Sequence, residues 1–391
     1  MKVKKIIIVI FLSFLSSNIF CQVSIEDLDN QLYSVRLNAL DRIVREKSVD
    51  FIPDIKARLF EQPDLTMQFA FLDALAKLYD PEVEQLTLSF IQQSDNFQYP
   101  EDPLFYKVQA TEILFDLNNY STIQYVFDLL NRDKDRVDAI SLTLLKRTIM
   151  NIPERIVEAT EGLVRIFNNQ NIDGLFRNDA LDILFDTDYT DILDLALPAV
   201  ISDESPLIRD TANRILKTKN YSGLHNLYIQ QLSIDPEPTI RSRYATSSLI
   251  LYGEPSDLKI VIDYLPNESD ETIRSWVKLT VDDFVPPKPD TLNWQGMIAK
   301  LLSYTDEMFQ YGWIKNEKTR DYYIQKLNAA NEAIENNNST AEVCTIINEQ
   351  ILPQVEQDLK KQLITTEGYK FLHHYTIYIK DEIEKEFGSC Q

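Results

Sequence analysis

The chain has 391 residues, is 44% hydrophobic, and carries 61 acidic against 39 basic residues, a formal net charge of −22. That surplus of carboxylates repels nucleic acid and anionic lipid, and the hydrophobic fraction excludes a disordered acidic tail. Only eight glycines occur; hairpins, dinucleotide turns and phosphate loops all consume glycine, so the expected class is all-α, with helices joined by short polar turns.

Met1-Lys2-Val3-Lys4-Lys5 forms a basic stub, Ile6 to Leu15 an apolar run broken only by Ser13, and Ser16 to Gln22 a short polar tail. These are the three parts of a secretory signal peptide, and the run falls short of the ~20 residues that span a bilayer. Residues 1–21 are expected to be cleaved after Cys21, leaving an exported chain that begins at Gln22. The rival reading lipidates Cys21, but it wants a small residue where Phe20 stands. No later stretch has the length and apolarity of a transmembrane segment.

Internal repetition follows. Asp203-Glu-Ser-Pro-Leu-Ile-Arg209, Asp235-Pro-Glu-Pro-Thr-Ile-Arg241 and Glu268-Ser-Asp-Glu-Thr-Ile-Arg274 superimpose without gaps. Each arginine follows an isoleucine and lies six residues after an acid. The same frame recurs at Asn30/Arg36, Glu101/Lys107 and Asn171/Arg177, with Ala39, Ala110 and Ala180 three residues further on. Met67 stands where one repeat should have its basic residue, Leu130 where the repeat of Arg136 should have its acid, and extra residues around Gln92–Pro103 interrupt the spacing. Between these positions apolar residues recur at helical intervals, as in 191–201 and 257–265. A single helix pair cannot bury its apolar face, whereas stacked pairs share a core, so an α-solenoid is expected.

Residues 24–284 resemble the HEAT-repeat family and its bacterial HEAT-like relatives. In that family each repeat is an antiparallel helix pair, with an acid before the second helix and an arginine inside it. The resemblance implies an α-α superhelix whose ladder is formed by Asp203, Arg209, Asp235, Arg241, Glu268 and Arg274. The acid would cap the start of the second helix, and an arginine would reach it from the neighbouring layer. It also implies that second helices line a concave face, where Arg177, Asn178, Arg214, Lys217, Arg243 and Thr246 would offer a basic stripe to an acidic partner.

Val285-Pro-Pro-Lys-Pro-Asp290 cannot be helical and reads as a semi-rigid linker between the solenoid of 22–284 and a domain of 291–391. Four helical runs follow, about 292–311, 317–336, 340–361 and 366–387, and their short connections imply an antiparallel bundle. On Tyr311-Gly-Trp-Ile-Lys-Asn316, Tyr323 to Ala330 and Gln350-Ile-Leu-Pro-Gln-Val355, this part resembles a small helical module (FIMAH-like) found at the C-termini of secreted bacterial proteins. Pro353 inside the third run departs from that pattern.

Candidates for chemistry are few. His373 and His374 are about 100° apart on a helix and cannot share a metal from one face, and His225 has no partner at ligand spacing. Cys344 with His373 could suggest a thiol nucleophile, but the expected role of Cys344 is a buried cysteine or a disulfide to Cys390. The acidic stretches 131–136 and 186–191 lack the glycine of a calcium loop. The expectation is therefore no catalytic, metal or cofactor site, and a scaffold that presents a repeat groove to a protein or peptide partner in the periplasm or at the cell surface. The alternative is an accessory component or enzyme acting on cell-surface polysaccharide. It predicts that Trp276, Trp294 and Trp313 converge on an exposed cleft.

Overall fold

The computed structural model describes residues 24–97, 102–335 and 340–388. It is all-helical, with its helices packed in consecutive pairs as in a solenoid, and an isolated β-bridge joins Ile314 to Ile364. No helix among the described residues is long and apolar enough to cross a membrane. The expected signal segment 1–21 lies outside them.

The chain divides into two compact units, with the boundary in the sequence between Ile192 and Leu193. The first contains the pairs α1 (Ile25–Leu28) with α2 (Tyr33–Glu46), α3 (Ile52–Leu59) with α4 (Leu65–Lys77), α5 (Val83–Ser94) with α6 (Pro103–Asp116), α7 (Gln124–Arg132) with α8 (Ala139–Asn151), and α9 (Ile156–Asn168) with α10 (Gly174–Asp186). Second helices of successive pairs also touch one another, α2 to α4, α4 to α6, α6 to α8 and α8 to α10. Aspartate starts four of them: Asp64, Asp102, Asp138 and Asp173 each accept a backbone N–H of the first turn. Leu28, Ile43, Ile55, Leu59, Phe71 and Leu75 belong to the core shared by the first layers.

After α11 (Ile192–Ser202) the second unit continues with α12 (Pro206–Thr218), α13 (Leu224–Ile234), α14 (Pro238–Leu251), α15 (Pro255–Tyr264) and α16 (Glu271–Asp282). Proline opens α12, α14 and α15, where a missing N–H costs nothing.

The scarcity of glycine has a structural counterpart. Lys47, Tyr79, Asn118, Asp188 and Asn220 follow α2, α4, α6, α10 and α12 with φ between 52° and 60°. Each turn is closed by a long backbone bond, such as Asp80 N–H to Leu75 O at 3.1 Å or Asn119 N–H to Leu114 O at 2.9 Å. These are left-handed helix ends usually given to glycine, here filled by asparagine, aspartate and even lysine and tyrosine. Gly253, at φ 55°, fills the same role after α14.

The C-terminal helices are α17 (Trp294–Gln310), α18 (Glu317–Glu335), α19 (Thr340–Thr345), α20 (Leu352–Lys360) and α21 (Thr366–Phe387). A π-helical turn over Ile346–Ile351 joins α19 to α20 just ahead of Pro353. Proline lacks the N–H for the α-helical ladder and its ring crowds the preceding turn, and the wider turn makes room for it.

The proline segment 285–290 does not separate two cores. One buried cluster runs from Leu232, Leu249 and Val277 through Phe284 to Trp294, Leu301, Phe371 and Ile383. Tyr378 Oη donates to Pro286 O at 2.8 Å, Lys288 pairs with Glu382 at 2.8 Å, and the rings of Phe284 and Phe371 lie 5.8 Å apart. The last repeats and the C-terminal helices are therefore one compact body, since the prolines leave Val281, Phe284 and Pro286 free to pack against α21.

Candidate functional site

The ladder is the most regular polar feature of the second unit. Arg209, fourth residue of α12, grips Asp235 of the next repeat with two bonds, Nε–Oδ2 at 2.8 Å and Nη2–Oδ1 at 2.9 Å. Its remaining nitrogen donates to Asp203 O at 2.7 Å in its own turn. Arg241 repeats the pattern on Glu268, with bonds of 2.9 and 2.8 Å and a third to Asp235 O at 2.7 Å. Arg274 binds Glu268 O of its own turn. The acids do not cap the helices directly, as the sequence suggests. Asp203, Asp235 and Glu268 instead accept the N–H two residues on, at 2.9, 2.8 and 2.9 Å, and so build the turn before the cap.

Burial tends to raise the Glu268 carboxyl pKa, but Arg241 and the Asp270 amide outweigh it and hold it below the ordinary value. Tyr264 Oη also donates to Glu268.

In the first unit the ladder degrades. Arg36 donates to Gln62 at 3.1 Å, and Gln68 donates to Gln62 O at 3.0 Å. Gln62 and Gln68 thus occupy the acid and basic places, and Met67, which sequence alignment put in the basic place, is a buried core residue. The six-residue spacing fits Glu61 and Met67 equally well, but the 32-residue interval that separates Arg209 from Arg241, counted on from Arg36, falls on Gln68. Lys107 binds Asp95 at 2.7 Å, while Glu101 lies outside the described residues. Arg177 donates to Phe167 O at 2.9 Å. Arg136 stands in the loop before α8 rather than inside a helix, and pairs with Asp102 at 3.3 Å.

The expected basic stripe is not assembled as drawn. Arg177 and Asn178 are buried, because their side chains turn toward the packed layer rather than the open face. Arg214 and Lys217 are exposed, Thr246 is half-buried, and Arg243 is neutralised by Asp210.

The remaining candidates have structural partners. His225 Nε2 lies 2.5 Å from Oδ1 of buried Asp257, and its ring stacks on Tyr252 at 4.2 Å. His373 stacks on Tyr369, and the His374 pKa is lowered by burial, then by His373 and Lys370. Cys344 is buried and disulfide-bonded, so it offers no thiol to His373; Cys390 lies outside the described residues. Trp294 and Trp313 are buried, Trp294 donating to Glu386 at 3.0 Å, and only Trp276 is exposed, at 56%. The cleft required by the polysaccharide reading is not formed. Among the described residues no group of three His, Cys, Asp or Glu side chains is placed to hold a metal ion.

One of the open grooves of the first unit is rich in apolar side chains. It runs beside α9, holds about 570 Å³, and is lined by Ile149, Ile156, Val157 and Val164, with Glu161 and Arg165 at the polar side. Val157 is 70% exposed. The fold and these surfaces define an all-helical, solenoid-like protein of paired helices. No protein-family model matches the chain, and no curated protein matches it.

Proposed function

We propose that the protein is an exported, non-catalytic scaffold of HEAT-like repeats, which presents a groove to a protein or peptide partner in the periplasm or at the cell surface. The observation that carries this reading is the groove beside α9, with Ile156 and Val157 left in solvent at its edge. Contiguous apolar surface rimmed by polar groups is costly unless something covers it. Glu161 and Arg165 supply polar groups that could fix the register of an extended or helical segment laid along it. Export rests on the shape of residues 1–21, and the HEAT-like assignment on the Arg209–Asp235 and Arg241–Glu268 rungs. The C-terminal helices are proposed to be a FIMAH-like module that supports the last repeats through their common core.

The test is cross-linking of the tagged protein in its native cell envelope, comparing wild type with Val157→Asp. A partner captured by the wild type and lost in the variant supports the scaffold reading. Recovery of the same partner from both proteins would remove this groove from it, and soluble saccharide as the only ligand would favour the polysaccharide alternative.

A further inference from the structure

A second groove of the first unit is richer in acidic side chains. It holds about 740 Å³ between α4 and α6 and is lined by five carboxylates: Asp73, Asp80, Glu84, Glu112 and Asp116. Three have partners that leave the site's charge imbalance in place. Asp73 binds Lys77 at 2.6 Å, Asp116 binds Arg147 at 2.7 Å, and Glu84 accepts from the Asn119 amide at 2.8 Å.

Among the described residues Glu112 has no ion pair. Burial, then the neighbouring Asp116, with Asp73 and Asp138, raise its pKa above the usual value, and Arg147 compensates only in part. Asp80 is 2% exposed; its Oδ1 accepts from the Glu82 amide at 3.0 Å and faces Lys56 at 3.5 Å, while its buried Oδ2 has no hydrogen-bond partner among the described residues. A buried carboxylate oxygen without a donor is a standing cost, as is a half-buried glutamate among like charges.

The rim is not simply acidic. Tyr79, at φ 59°, is 87% exposed, and Leu117, also in the lining, is exposed. An aromatic face next to carboxylates receives an ammonium or guanidinium group and its alkyl stem together. A divalent ion fits less well, because no three of these carboxylates converge as ligands.

We propose that the groove between α4 and α6 docks a lysine- or arginine-bearing segment of a polypeptide partner, with the cationic group received by Glu112 in the field of the buried Asp80 and its stem laid against Tyr79. The proposal shares with the scaffold reading only the assumption that the partner is a polypeptide, and it reverses the acidic partner suggested by sequence.

Fluorescence anisotropy of the full mature chain with a labelled hexalysine peptide tests it, with calcium chloride and spermidine as competitors. The expected result is saturable binding of one peptide per chain, weakened about tenfold by Glu112→Gln and unchanged by Asp194→Asn, which removes one exposed charge elsewhere. Glu112→Gln relieves repulsion and is expected to fold; Tyr79→Asn, which keeps a residue tolerant of that backbone, is the second variant and should also weaken binding. Equal effects of Glu112→Gln and Asp194→Asn would reduce the binding to attraction by net charge and overturn the proposal. So would no binding, or displacement by stoichiometric calcium or spermidine. Loss of peptide binding alongside a partner captured at the α9 groove would sink this inference and leave the scaffold reading standing.

Discussion

Arg209 of one repeat and Asp235 of the next are joined by two hydrogen bonds of 2.8 and 2.9 Å, with both side chains almost wholly out of solvent. The same aspartate accepts the Glu237 amide that sets up α14, so one carboxylate organises a turn and fastens it to the layer before. Removing the guanidinium leaves that carboxylate buried with only part of its bonding. Arg209→Ala is expected to cost about 3–5 kcal/mol, read by urea denaturation. Because the core continues from Leu232 to Ile383, hydrogen exchange should rise in the C-terminal helices as well as in the repeats. Unchanged stability would show that the rung is not structural.

Glu268 gives the ladder an acid limit. Its carboxyl pKa is lowered in the folded state, so its contribution is present above the unfolded carboxylate value and is lost as pH falls through the folded one. The wild type should therefore lose stability below about pH 4, beyond what the general charge predicts. Glu268→Gln should start less stable at neutral pH and show a flatter acid limb. Parallel acid limbs for the two proteins in thermal denaturation would contradict this.

Lys370 ties α21 to the last repeat. The ammonium is buried and donates to Val281 O at 2.5 Å and Asp282 O at 2.6 Å, the carbonyls that end α16. Lys370→Met keeps the stem and loses both bonds, and is expected to cost about 1–3 kcal/mol. Burial also lowers the lysine pKa, so the folded state releases its proton before the unfolded one does. Wild-type stability should gain on the Met variant as pH rises through the interval below the ordinary lysine value of about 10.4. A gap that stays constant across that interval would refute the assignment.

Cys344 is disulfide-bonded, and the pairing with Cys390 is open to direct measurement. For a chain beginning at Gln22, thiol titration after denaturation without reductant should find no free thiol in a monomer. Reduction should then lower the stability of the second unit by about 2–4 kcal/mol. Two reactive thiols per chain would exclude the bond.

The recurrent acid-x5-Arg frame and the four C-terminal runs were legible because they rest on short-range rules of period and breaking. The frame slipped at Met67 because its neighbour Gln68 is uncharged, and a search for basic residues passes over an amide that makes the equivalent backbone contact. Arg177 and Asn178 were misplaced for a different reason. One step along a helix is about 100° of rotation, so spacing assigns a residue to a side but not to the packed or the open half of it.

The sequence by itself determined the all-helical class, the pairing of helices and the identity of the strongest rungs, since these depend on contacts within one repeat or between two adjacent ones. Only the tertiary structure decided that the C-terminal helices share a core with the last repeats, that two tryptophans are buried, and that Asp73, Asp80, Glu112 and Asp116 gather in one groove. Those outcomes depend on how successive layers pack, and side chains a full repeat apart become neighbours only when the backbone between them is fixed.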